Sequence, residues 1–255
     1  MGVSMEMNLL KLVEYAVFLG GPVIVLGWFL IKVRPKFPSL LPLAIVGFLA
    51  LLSFLTVNLI LNFAIAPLSQ LLNPSEDYSF TLGYAFQISL LEESVKFFSA
   101  VIGILLVREE TRWTDVKLSM AFVAGLVFGI LEWVNHVLVL HLSGIRVLVD
   151  LLSRFIHPIM TTAIMAGVLL LLNRKRAAGF LVLLYPFVAH ALLDYFITHE
   201  ETLMEVIVGF PFLIDFLAGV YLLLPVISAE KERRRKFEAE SKVSLGDNWL
   251  MKLEQ

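Results

Sequence analysis

Seven apolar runs, each about twenty residues or longer, follow one another along this chain, and that length limits what it can become. They cover roughly 12–33, 40–64, 80–107, 118–141, 148–172, 179–198 and 203–227. A hydrocarbon core about 30 Å thick takes about 20 residues of helix, at about 1.5 Å each, or about ten of strand. The runs have helix length. No series of short segments alternates with period two, which argues against a barrel. Of the 255 residues, 59% are hydrophobic and the mean hydropathy is +0.86, against about 45–50% apolar in soluble domains. The expected fold class is all-α: a polytopic membrane helix bundle of about seven transmembrane helices.

Turn and polar residues punctuate the runs: Arg34-Pro35-Lys36, Asn73-Pro74-Ser75, Arg108 to Thr114, Ser143-Gly144, Asn173 to Arg176 and His199-Glu200-Glu201. Between 64 and 80 the boundary is weakest, because Pro67 can end the second helix early. Basic residues test the count, since cytoplasmic loops are enriched in Lys and Arg. The segments after runs one, three, five and seven hold Lys32, Arg34, Lys36, Arg108, Arg112, Lys117, Arg174, Lys175, Arg176, and seven more from Lys231 to Lys252. That makes sixteen of the 20 basic residues. The opposite side holds Lys11 and Arg146. Such alternation predicts the N-terminus outside and the C-terminus cytoplasmic. Met1 to Asn8 has no basic region ahead of the first run, which reads as a retained helix rather than a cleaved signal. A single transmembrane domain over 1–227 and a basic cytoplasmic tail over 228–255 describe the organisation. In the tail, Lys231 to Lys236 reads first as a topology determinant and second as a contact for anionic lipid. No cysteine is present, which excludes disulfides, thiolate ligands and a cysteine nucleophile. No nucleic-acid partner is expected.

The third run breaks its own apolar rule at Leu91-Glu92-Glu93-Ser94-Val95-Lys96. A charged side chain at the bilayer centre costs about 2.5–3.5 kcal/mol on insertion scales, so an intramembrane acid is a functional-site hypothesis by default. Further ionisable groups lie inside the other runs: Glu132 and His136, Arg154 and His157, His190 and Asp194, and Asp215. Counted from the cytoplasmic ends at about 1.5 Å per residue, Glu93, Glu132, His157, His190, Asp194 and Asp215 fall roughly 16–23 Å deep. They form one layer drawn from five helices and are expected to converge on the bundle interior.

Helical spacing supports convergence. Glu92 and Lys96 are i,i+4, as are Glu132 with His136 and His190 with Asp194, while Glu93 and Lys96 are i,i+3. Arg154 is expected to pair with Asp150 or Asp215. Fully ionised, the five carboxylates exceed Lys96 and Arg154 by three charges. Such a cluster must keep protons, charge its histidines or bind a cation.

Glu92-Glu93-x-x-Lys96, Phe128-x-x-x-Glu132, His157 and His190-x-x-x-Asp194 stand in order, one motif per helix, and together resemble the PrsW family of membrane proteases. That family is grouped with the CAAX prenyl endopeptidases and the Abi (CPBP) proteins. The likeness covers roughly 80–198. It implies that Glu92 and Glu93 match the paired glutamates of the first motif, one of which activates water, and that Lys96 matches its basic position. It further implies that Glu132, His157, His190 and Asp194 complete the polar centre. Glu132 and Asp194 depart from the histidine and asparagine of the CAAX enzymes, so prenylated-protein processing is not expected.

The residue chemistry agrees with peptide hydrolysis, which needs a base for water, a proton donor for the leaving amine and an oxyanion partner. Glu92 or Glu93 can be the base. His157 and His190 can polarise the carbonyl, or can hold Zn²⁺ with a carboxylate from Glu132 or Asp194. A metal set of Glu132, His157 and His190 and a metal-free glutamate–histidine pair are both open. The expected function is an intramembrane endopeptidase acting on a membrane-anchored protein in the cell membrane. A proton- or cation-coupled transporter and a non-catalytic membrane scaffold are the alternatives.

Overall fold

The computed structural model describes residues 13, 16–65, 81–107, 112–139, 145–199 and 202–253. Lys11, Glu14, Pro67, Arg108 and His141 lie outside them, as do the side chains of Asn62, Arg146, Lys242 and Lys252. Every element among the described residues is helical. Helix α1 (Gly21–Val33) follows a π turn at Ala16–Gly20, and α2 (Leu40–Ile60) runs on into a π turn at Leu61–Ile65. Then come α3 (Leu82–Leu106), α4 (Thr114–Val139), the short α5 (Ile145–Ser153), α6 (Ile156–Leu172), α7 (Arg176–Thr198) and the long α8 (Thr202–Leu253). The seven apolar runs all have helical counterparts.

Among the described residues, five helical stretches are long and apolar enough to cross a membrane, including Leu40–Ile60, Thr114–Val139, Asp150–Leu172 and Arg176–Ile197. Helix α3 has the length, at 25 residues, but every 18-residue stretch of it contains Glu92, Glu93 and Lys96. Its apolar course is interrupted by that group of three charged residues. Its start is fixed by Thr81, whose hydroxyl accepts from the Tyr84 amide at 3.2 Å, a hydroxyl N-cap.

Helix α6 is the centre of the bundle. Almost all of it from His157 to Leu170 is buried, as a helix apolar on all sides must be. It packs on α4, α7 and α8, and α3 packs on α2, α4 and α7. Phe29, Phe122 and Phe216 bring α1, α4 and α8 together, with ring centroids 6.2 and 5.9 Å apart. The outer surface is apolar, with Leu105, Leu138, Leu172 and Leu181 exposed, while Glu93 and Lys96 are fully enclosed. Charge inside and leucine outside is the arrangement a lipid environment imposes.

Two features differ from the sequence expectation. The fifth run is one span but two helices, broken at Arg154-Phe155. Pro158 is the cause: it has no N–H to give the Arg154 carbonyl, and its ring crowds that oxygen. The carbonyl accepts from the His157 amide instead, at 3.2 Å. The other difference is at 227–228, where helix α8 continues without interruption into the basic tail. The tail is pinned to the bundle. Glu230 accepts from the Thr114 amide and hydroxyl at 2.7 and 3.0 Å, a carboxylate at the N-terminus of α4. Arg234 donates to Asp115 at 2.6 Å, both buried. Lys231 donates to the carbonyls of Val33 and Arg34 at the end of α1.

Candidate functional site

Four helices supply the site. Helix α3 turns Glu92, Glu93 and Lys96 inward on one face, α4 brings Glu132, α6 opens with His157 in its first turn, and α7 brings His190 and Asp194. The approach of α4 to α6 depends on two glycines. A Cβ at Gly125 would sit 2.6 Å from the His157 carbonyl and 2.7 Å from Pro158 Cα. One at Gly129 would sit 2.9 Å from the Arg154 carbonyl. Without side chains there, the start of α6 lies directly on α4, and Glu132, one turn beyond Gly129, meets His157.

The polar atoms form a continuous chain. Lys96 Nζ donates to Glu93 Oε1 at 2.6 Å, lies 2.9 Å from His157 Nδ1 and 3.5 Å from Glu92 Oε2. It also rests 4.4 Å from the centre of the Phe128 ring, a cation–π contact that accounts for the phenylalanine one turn before Glu132. As an ammonium, Lys96 only donates, so His157 Nδ1 accepts and the ring proton sits on Nε2. That nitrogen lies 2.6 Å from Glu132 Oε2. On the other flank His190 Nδ1 is 3.0 Å from Glu93 Oε1, and His190 Nε2 is 3.4 Å from Asp194 and 3.9 Å from Glu92. The two imidazole rings meet edge to face, with centroids 5.8 Å apart.

All seven residues expected from the sequence are thus brought into one cluster. Asp215 is not: among the described residues it has no hydrogen bond or ion pair with the cluster, so the layer draws on four helices rather than five. Depth alone could not separate it, because depth says nothing of which way a helix face turns. His136 lies in an adjoining group around Arg154. Of the two partners expected for Arg154, Asp150 is the one observed, at 3.0 Å.

No known family model matches the chain, nor does any curated protein or solved structure.

Glu92, Glu132 and His157 could hold a metal ion: each offers a ligand atom, all within 4.8 Å of one another. Glu92 Oε2, Glu132 Oε2 and His157 Nε2 are all buried and none is in an aligned hydrogen bond, although the last two stand 2.6 Å apart. The set expected from the sequence shares Glu132 and His157 with this one. His190 is not in it, because its ring faces Glu93, Glu92 and Asp194. The donors already have a cation against them, since Lys96 touches His157 and stands beside Glu92. An ion held by His157 Nε2 would shift that ring's proton to Nδ1, against the lysine ammonium. The donor set is right for a divalent ion and the charge beside it is wrong.

Exposure varies across the cluster. The side chains of Glu93 and Lys96 are fully enclosed, Glu92 is 12% exposed, Glu132 19% and Asp194 42%. The more open members lie toward the C-terminal ends of α4 and α7. Toward the opposite end, Met120, Ala124, Met160, Ala163 and Ala166 form a buried apolar core.

Proposed function

We propose that this membrane protein is an intramembrane endopeptidase, hydrolysing a peptide bond of a membrane-anchored protein substrate in the cell membrane. The observation that carries the reading is the joining of Glu92, Glu93, Lys96, Glu132, His157 and His190 in one enclosed cluster inside an apolar bundle. The resemblance of these residues to the PrsW motifs points the same way.

The geometry divides the two glutamates. Glu93 is sealed in and held by Lys96 and His190, so it serves as a fixed counter-charge. Glu92 is only loosely held, at 3.5 and 3.9 Å from its basic neighbours, and is partly open. It accepts the proton of a water whose oxygen attacks the scissile carbonyl carbon. His190, between Glu92 and Asp194, faces the developing oxyanion, gives its ring proton to the amine nitrogen as the C–N bond breaks, and regains a proton from Glu92, 3.9 Å away. Asp194 orients His190, and Lys96 and Glu132 together fix the tautomer of His157. Zn²⁺, were it bound by Glu92, Glu132 and His157, would polarise the carbonyl and activate water; Lys96 supplies positive charge there without it. Because the cluster opens toward the ends of α4 and α7, substrate enters from the side poor in basic residues, outside under the topology proposed from the loops.

The test reconstitutes the protein in liposomes with fluorescent single-pass membrane-anchored reporters. Cleavage by the wild type and its loss in Glu92→Gln is the expected result. A proton or cation flux lost in Glu92→Gln, with no reporter cut by the wild type, would overturn the protease reading in favour of a carrier. Partner binding that survives the substitution, with neither cleavage nor flux, would indicate a scaffold.

A further inference from the structure

Outside the cluster assigned above stands a second polar group, centred on the break between α5 and α6. Arg154 is the first residue past α5. Its Nη1 donates to Glu132 Oε1 at 2.8 Å. Its Nη2 donates to Asp150 Oδ1 at 3.0 Å and contacts His136 Nδ1 at 2.9 Å. His136 and Asp150 are also 3.4 Å apart. A planar guanidinium with permanent charge suits such bridging, whereas a lysine offers a single point of contact.

The consequence lies on the other side of Glu132. One oxygen of that carboxylate is held by Arg154 and the other lies 2.6 Å from His157 Nε2. Two features put Arg154 in reach. Pro158 interrupts the helix so that the chain turns at Arg154, and Gly129 lets that turn rest against α4. We propose that Arg154 is the positioning residue of the site: it locks Glu132 from behind, and through Glu132 it sets the orientation and proton position of His157. Trp133, which donates to the Val147 carbonyl at 3.0 Å, ties α5 to α4 beside it.

This rests on the site proposed above, but it is tested without activity. The full-length protein is labelled with ¹⁵N-histidine in detergent micelles, where protonated and bare ring nitrogens resonate apart, and His157 is assigned by its loss in His157→Gln. The wild type is expected to show His157 as the neutral ring protonated on Nε2. Arg154→Met should abolish that signal or convert it to a mixture of ring states. Arg154→Lys should keep it in part. Glu132→Gln should give the same change, and Arg154→Met added to Glu132→Gln should add nothing. A folded Arg154→Met protein, by size exclusion and melting, with a wild-type His157 signal would overturn the proposal. So would a further change in the Glu132→Gln background. Should Arg154→Met not fold, Asp150→Asn loosens the same guanidinium, and an unaltered His157 signal there overturns it equally. Because the readout is blind to peptide cleavage, absence of protease activity would leave this result standing.

Discussion

Lys96 gives the most demanding test of how the buried cluster is held together. Its ammonium and the Glu93 carboxylate are 2.6 Å apart, and both side chains are fully enclosed. At that separation, with an effective dielectric of about 20, Coulomb attraction amounts to about 6 kcal/mol. Desolvation of two ions takes back much of this, and breaking such a pair from one side costs about 3–5 kcal/mol, because a buried charge is left alone. Lys96→Met keeps the shape and removes the charge, leaving Glu93 with His190 and Glu92 with no ammonium. The expected loss is therefore about 3–5 kcal/mol for Lys96→Met, with a similar loss for Glu93→Gln. The double substitution removes both ions and should recover at least about 2 kcal/mol of the summed losses. The assay is reversible unfolding in mixed micelles by titration with SDS, followed by the fluorescence of the four tryptophans. If Lys96→Met alone unfolds within about 1 kcal/mol of the wild type, the pair does not carry the charge balance of the cluster and the reasoning fails.

Gly125→Ala should push α4 from the start of α6, since its Cβ meets backbone at 2.6 and 2.7 Å; overpacking of this kind costs about 1–3 kcal/mol and should abolish reporter cleavage. Gly27→Ala, with nothing within 4 Å of its Cβ, should leave the melting temperature unchanged or raise it. Asp115→Ala leaves Arg234 buried without its carboxylate, with an expected loss of about 3 kcal/mol; limited trypsin digestion should then cut the Lys231–Lys236 segment faster than in the wild type. Metal analysis by mass spectrometry on the purified protein should find no stoichiometric zinc. One zinc per chain that disappears in His157→Ala would restore a metal mechanism at Glu92, Glu132 and His157.

The sequence by itself determined the helix bundle and its polar centre. Runs of about twenty apolar residues have one stable backbone solution in lipid, the helix, and charge within such a run has one tolerable direction, inward. Glu92, Glu93, Lys96, Glu132, His157, His190 and Asp194 were legible for that reason. Depth along a helix can be counted, but rotation about its axis is set by neighbours, so Asp215 reads like a member of the layer and stands apart from it. The break at Arg154 had a visible signal in Pro158, masked by the span-length run it lies in. Only the packed structure decided that Arg154 reaches Glu132. It also decided that Glu93 rather than Glu92 is sealed, and that the basic tail is a clamp on α4. These depend on contacts between residues far apart in the chain, such as Arg234 with Asp115, and no local pattern specifies them. Pairing of this kind is fixed by which helix faces meet, and here glycines 125 and 129 and the packing of α6 settle that.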